Sequence, residues 1–146
     1  MNLTIAVGSD HRGYPLKEKL IDFFESKNFV VIDFGTHSEE SADYPDYSVK
    51  VAQCVADGDA NYGVAVCGSG IGVSIAANKV KGVRAVNATS EKITEMSRRH
   101  NDANVICFGS DFVDFETAVK YFTVFISTEF EQGERHIRRV NKLNNL

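Results

Sequence analysis

The 146-residue chain is 43% hydrophobic and 25% charged, the make-up of a globular chain long enough for one domain with a sizeable core. Sixteen Lys and Arg against twenty Asp and Glu give a formal charge of -4, which argues against bulk nucleic-acid binding. Cysteines far apart at 54, 67 and 107 make neither a disulfide scaffold nor a zinc knuckle, and the simplest location for them is a reducing cytoplasm.

Leu3-Thr-Ile-Ala-Val7 reads as a short buried strand, followed at once by Gly8-Ser9-Asp10-His11, so neither a leader nor a membrane-spanning segment is expected. Pro15 suits a first helical turn, after which Leu16, Leu20, Phe23 and Phe24 mark one helix face. Phe29–Asp33 is the next strand, closed by Gly35, and a polar loop over 36–43 leads to Tyr44-Pro45. The helix that follows carries Val49, Ala52, Val55 and Ala56 and stops at Asp57-Gly58-Asp59. Gly63–Val66 makes a third strand, and Ser74–Asn78 reads as the first turns of a helix. Val83–Val86 is the fourth strand, Ser90–Arg99 a helix capped by Ser90, and Val105–Phe108 the fifth strand. Asp114 caps a helix over Phe115–Ser127 whose Ala118, Val119, Phe122, Phe125 and Ile126 form a broad apolar face. A basic tail, Arg135–Lys142, is expected to be helical, within a segment at about 134–146 of a single domain spanning 1–146. Strands alternating with helices predict a three-layer, Rossmann-like α/β sandwich around a five-stranded parallel sheet.

The stretch Val64-Ala-Val-Cys-Gly-Ser-Gly-Ile-Gly72 sets a cysteine where a buried strand opens into a glycine-rich turn. Glycines let the backbone approach a ligand, and unpaired amides at a helix start hold an oxyanion and favour a thiolate. A tight turn around an inert cysteine is the alternative reading. The spacing is not the dinucleotide fingerprint, and no Gly-Lys-Ser/Thr of a phosphate loop follows. Ligands of parallel sheets gather beyond the C-terminal strand ends, which here deliver Ser9-Asp10-His11, Gly35-Thr36, Cys67-Gly68-Ser69 and the loop near Gly109. His100-Asn101-Asp102 instead precedes the fifth strand, at the opposite sheet end. A neighbouring subunit could bring His100 to Cys67, which would make oligomerisation part of the chemistry. Cys54 and Cys107 read as buried small hydrophobes, and Cys67, Cys107, His11 and His100 lack metal-ligand spacing, so no metal is expected.

Ser9-Asp-His-Arg-Gly-Tyr-Pro-Leu-Lys17, Asp43-Tyr-Pro-Asp46, Cys67-Gly-Ser-Gly-Ile-Gly72 and Ser74-Ile-Ala-Ala-Asn-Lys79 resemble the ribose-5-phosphate isomerase B family. So do Gly82-Val-Arg-Ala85 and Arg99-His-Asn-Asp-Ala-Asn104. The wider family includes galactose-6-phosphate isomerase subunits and allose-6-phosphate isomerases. The resemblance implies a five-stranded parallel sheet and a homodimer or homotetramer with a shared active site. It implies interconversion of ribose 5-phosphate and ribulose 5-phosphate in the pentose phosphate pathway, without a metal or organic cofactor. By the same resemblance Cys67 is the catalytic base, with Ser69 and the amides of Gly68, Gly70, Ile71 and Gly72 around the enediolate and Asn101 nearby. His100, from the partner, and Asp10 would open the sugar ring. His11, Arg135 and Arg139 would contact phosphate, and Tyr44 would line the sugar pocket.

Two departures stand out. Ser69 replaces the family's frequent threonine but keeps the hydroxyl. Asp111 stands where many relatives have an arginine that helps hold phosphate, a task no carboxylate can take over. The approach to Arg135 is also one residue longer than usual, which would shift load to Arg139 or Arg138. Alternative readings are an isomerase for allose or galactose 6-phosphate, a non-catalytic phosphate-binding module, and RNA recognition by the basic tail. The last leaves Asp10, Cys67 and His100 unused, so neither nucleic acid nor membrane is an expected partner.

Overall fold

The computed structural model describes residues 2–146, with Met1 outside that range. The chain runs β1 (Thr4–Ser9), α1 (Tyr14–Ser26), β2 (Val30–Asp33), α2 (Tyr44–Ala56), β3 (Tyr62–Cys67), α3 (Ile71–Asn78), β4 (Ala85–Asn87), α4 (Glu91–Asn101), β5 (Val105–Gly109), α5 (Phe115–Ser127) and α6 (Glu134–Asn144). The five strands form one sheet in the order β2-β1-β3-β5-β4, and every adjacent pair is parallel. The α/β sandwich with a five-stranded parallel sheet read from the sequence is therefore the fold.

The central strands are apolar runs because helices cover both faces. Their side chains nevertheless divide by size. Ile5, Val7, Val64, Val66, Ile106 and Phe108 pack towards α1 and α5, where Phe24 and Phe122 meet at 4.5 Å between ring centroids. Ala6, Ala65, Cys67 and Cys107 alternate with them and face α2 and α3. Small residues let these two helices lie close to the sheet, and Ser48 Oγ donates to Val73 C=O at 2.6 Å between them. Cys67 thus ends β3 on the small-residue face.

Two element starts differ from expectation by more than a single residue. The helix predicted from Ser74 begins at Ile71, because Gly70 takes a left-handed φ of 78° and turns the chain directly into α3. The fourth strand, predicted from Val83, begins at Ala85. Val83 N–H is spent on Val80 C=O in a turn, and Arg84 N–H on Asn104 Oδ1. The expected caps are present: Ser90 Oγ accepts from Ile93 N–H at 3.0 Å, and Asp114 Oδ1 from Thr117 N–H at 2.9 Å. No helix among the described residues is long and apolar enough to cross a membrane.

Candidate active site

The strand order reverses direction at β1 and β3: β2 flanks β1 on one side, and the rest of the sheet builds outward from β3 on the other. In open parallel sheets the crevice at such a reversal, beyond the carboxyl ends of the strands, receives ligands. Here Asp10 leaves β1 and Cys67 ends β3, and both line a cleft of about 470 Å³. Tyr44, at the start of α2, and Ile71 and Ile75, on α3, close its apolar side.

The local backbone explains the glycines. Gly70 N–H donates to Cys67 Sγ at 3.2 Å, so the turn returns an amide to the thiol that precedes it. A Cβ at Gly70 would collide with the Asn87 carboxamide and with Gly109 N, and one at Gly72 would lie 2.5 Å from the Tyr44 ring. Ile71 N–H donates to Ser69 Oγ at 3.1 Å. Two of the amides expected to face a reacting oxygen, those of Gly70 and Ile71, thus serve their own chain in this structure. The Gly72 and Val73 amides, in the first turn of α3, have no acceptor within the helix. The loop after β5 straps the turn from the other side. Ser110 N–H donates to Cys67 C=O and Asp111 N–H to Gly68 C=O, both at 2.9 Å.

Asp10 is buried, and its Oδ1 accepts Gly13 N–H at 2.9 Å, fixing the β1–α1 loop. His11 accepts Ala42 N–H on Nδ1 at 3.1 Å and ties that loop to the segment before α2. Arg12, to which the sequence reading gave no role, reaches into the cleft, and its Nη2 meets Asp111 Oδ2 at 2.5 Å. The bond to Asp111 holds the Arg12 guanidinium above its ordinary pKa. Its position between Asp10-His11 and Gly13, in a strand-end loop, was the available signal.

His100 and Asn101 lie elsewhere in the chain. They end α4, which leads into β5 at the Val105 end, whereas Cys67 pairs with Gly109 at the other. Four residues of strand, about 13 Å, separate the two sheet ends. His100 stacks on His136 with centroids 4.8 Å apart and planes 4° from parallel, and its Nε2 lies 3.7 Å from Glu131 Oε2. Burial, with Arg135 adjacent, holds His136 below the usual imidazole pKa. Arg135 and Arg139 are exposed one helical turn apart on α6, with no side-chain partner among the described residues. Arg138, by contrast, pairs with Glu134 at 2.9 Å. Of the tail arginines, 135 and 139 are therefore the ones left free. Asn101 borders a different and larger hollow, about 580 Å³, between β4 and the end of α6. None of Asp10, Cys67 or Ser69 borders that space, which makes it a gap beneath the tail and not the reactive cleft. Cys107 is fully enclosed, and burial pushes its thiol pKa strongly up, while burial also raises that of Cys54.

The Ribose/Galactose Isomerase family pattern matches residues 5–143. The chain belongs to this family. It is 42% identical over 139 residues to ribose-5-phosphate isomerase B of Escherichia coli (strain K12), covering 95% of this chain and 93% of that one. Among solved structures, ribose-5-phosphate isomerase B of Clostridium thermocellum superposes with a TM-score of 0.94 at 45% identity, over 98% of this chain and 96% of that one. That of Thermotoga maritima gives 0.96 at 39% identity over the whole of both chains. Family membership extends through α6, so the tail with Arg135 and Arg139 is part of the shared fold.

Proposed function

We propose that this chain interconverts ribose 5-phosphate and ribulose 5-phosphate, with Cys67 as the base and a two-fold pair of subunits as the working unit. One observation carries the reading: a cysteine at the strand end of the reversal-point crevice, its sulfur facing an amide of the glycine turn. An N–H aimed at sulfur stabilises the thiolate, the form able to take a carbon-bound proton.

The chemistry then follows from the residue types. His100 of the partner subunit gives a proton to the ring oxygen while Asp10 takes one from the anomeric hydroxyl, opening the furanose. The Cys67 thiolate removes the C2 proton of the open aldose, and the charge moves to the C1 oxygen as a cis-enediolate. Amides left free at the start of α3, with the Ser69 hydroxyl, oppose that charge. Cys67 returns its proton to C1 while the O2 proton passes to the O1 anion, which gives the ketose and restores the thiolate. Arg135 and Arg139, without a side-chain partner among the described residues, supply cations for the phosphate from the partner subunit. His11 completes the phosphate contacts, Asn101 comes with His100 from the partner subunit to lie near the enediolate, and Tyr44 packs against the sugar.

Turnover of ribose 5-phosphate by the wild type and by Cys67→Ala, followed as ketose formation, tests the reading. A drop of roughly a hundredfold to ten-thousandfold in a folded variant is expected. Equal turnover by both proteins removes Cys67 from the mechanism. A wild type active only on six-carbon aldose phosphates transfers the chemistry to a longer substrate.

A further inference from the structure

The cleft around Cys67 has an unfavourable charge balance for an anionic substrate. Its lining carries the carboxylates Asp10 and Asp111, the thiolate that the chemistry requires, and a single cation, Arg12. A phosphate dianion arriving there meets three negative groups of this chain and one positive one.

We propose that Arg12 is this chain's own receptor for the substrate's phosphate, and that Asp111 both tethers its guanidinium over the cleft and offsets its charge. This deepens the isomerase reading and rests on it. Only Nη2 of Arg12 is engaged by Asp111, which leaves the remaining N–H donors of the fork for an anion. The guanidinium and the carboxylate both lie against Gly68, where an added Cβ would stand 2.9 Å from Arg12 Nε and 3.1 Å from Asp111 Oδ2. Glycine at 68 therefore keeps the space that the pair occupies beside the reactive turn.

A purely structural ion pair fits the site poorly. Both side chains are well exposed, at 58% and 44%, where such pairs add little to stability. The two loops are already joined without them. Ser110 Oγ donates to Arg12 C=O at 3.1 Å, and the Ser110 and Asp111 amides bind the Cys67–Gly68 backbone. The pair also confers selectivity. A dianion repays contact with a guanidinium that already bears a counter-ion, whereas an uncharged sugar gains much less from it.

The test is calorimetric binding of inorganic phosphate to the full chain as wild type, Arg12→Gln and Asp111→Asn, with KM and kcat for ribose 5-phosphate measured alongside. Arg12→Gln is expected to weaken phosphate binding about tenfold or more, with the loss in turnover carried by KM. Asp111→Asn keeps an acceptor for Arg12 but removes a negative charge, and is expected to tighten phosphate binding about threefold to fourfold. Unchanged phosphate affinity in Arg12→Gln, or a loss confined to kcat, overturns the proposal. So does weaker binding in Asp111→Asn. Phosphate binding reports on Arg12 even if ribose 5-phosphate is not turned over, an outcome that would count against the isomerase reading alone.

Discussion

At the scale of single residues, the reactive turn depends on Gly70 more than on its neighbours. Its left-handed φ of 78° costs a non-glycine residue about 1–2 kcal/mol, and a Cβ there would strike the Asn87 carboxamide and Gly109 N. Gly70→Ala should lower stability by at least about 1 kcal/mol in urea unfolding. It should also lower isomerase activity at temperatures where the variant remains folded, because the amide facing Cys67 moves. The cysteine and its glycines were legible as a site because an apolar run broke abruptly into Gly-x-Gly-x-Gly. What that pattern could not convey is the use each amide finds. Gly70 and Ile71 satisfy Cys67 and Ser69, so the donors left for a substrate lie further into α3. Arg12 escaped notice for a related reason. An arginine beside the motif has no periodicity, and its meaning depends on Asp111, ninety-nine positions away.

The elements follow two rhythms, and the sequence exposed one better than the other. Leu16, Leu20 and Phe24 on α1, and Ala118, Phe122 and Phe125 on α5, recur at helical spacing and are buried as that spacing predicts. The division of the strands into a large-residue face and a small-residue face was hidden inside continuous apolar runs. Lys17 was hidden more deeply. It follows Leu16 on α1, is only 1% exposed, and its Nζ lies 2.9 Å from both oxygens of Asp33 at the end of β2. No hydrophobic pattern announces a buried ammonium. The pair joins α1 to an edge strand whose own side chains are half-exposed, and removal of the carboxylate leaves the buried ammonium with Glu18 alone, whose Oε1 also lies 2.9 Å from Nζ. Asp33→Ala should cost about 1–3 kcal/mol in urea unfolding, measured at one protein concentration, because Glu18 still pairs with the ammonium. Lys17→Met, which leaves only a partly exposed carboxylate that still accepts Gly35 N–H, should cost clearly less.

At the scale of the molecule, the residues assigned to the proposed chemistry lie at two ends of one sheet. Cys67 and Asp10 lie at the carboxyl ends of the strands, while His100, Arg135 and Arg139 gather beside α6 at the other. In the proposed subunit pair one end would lie against the other, and two sites would be completed at once. Cys67→Ala and His100→Ala should each be nearly inactive alone. When mixed, unfolded and refolded together, they should recover about a quarter of wild-type activity, because half of the dimers are mixed and each mixed dimer has one intact site. No recovery would mean that both residues act within one chain. The sheet order has another consequence, for synthesis on the ribosome. β3 lies between β1 and β5, so its second edge remains open until residues 105–109 have emerged. The loop that straps the Cys67 turn comes immediately after them, at Ser110 and Asp111. A nascent chain halted before that point holds the cysteine and its glycines but exposes an unpaired apolar strand edge, a template for aberrant pairing. The reactive turn is thus made in the first half of the chain but secured only once Ser110 and Asp111 have followed it, so an active site reports that β5 has found its place beside β3.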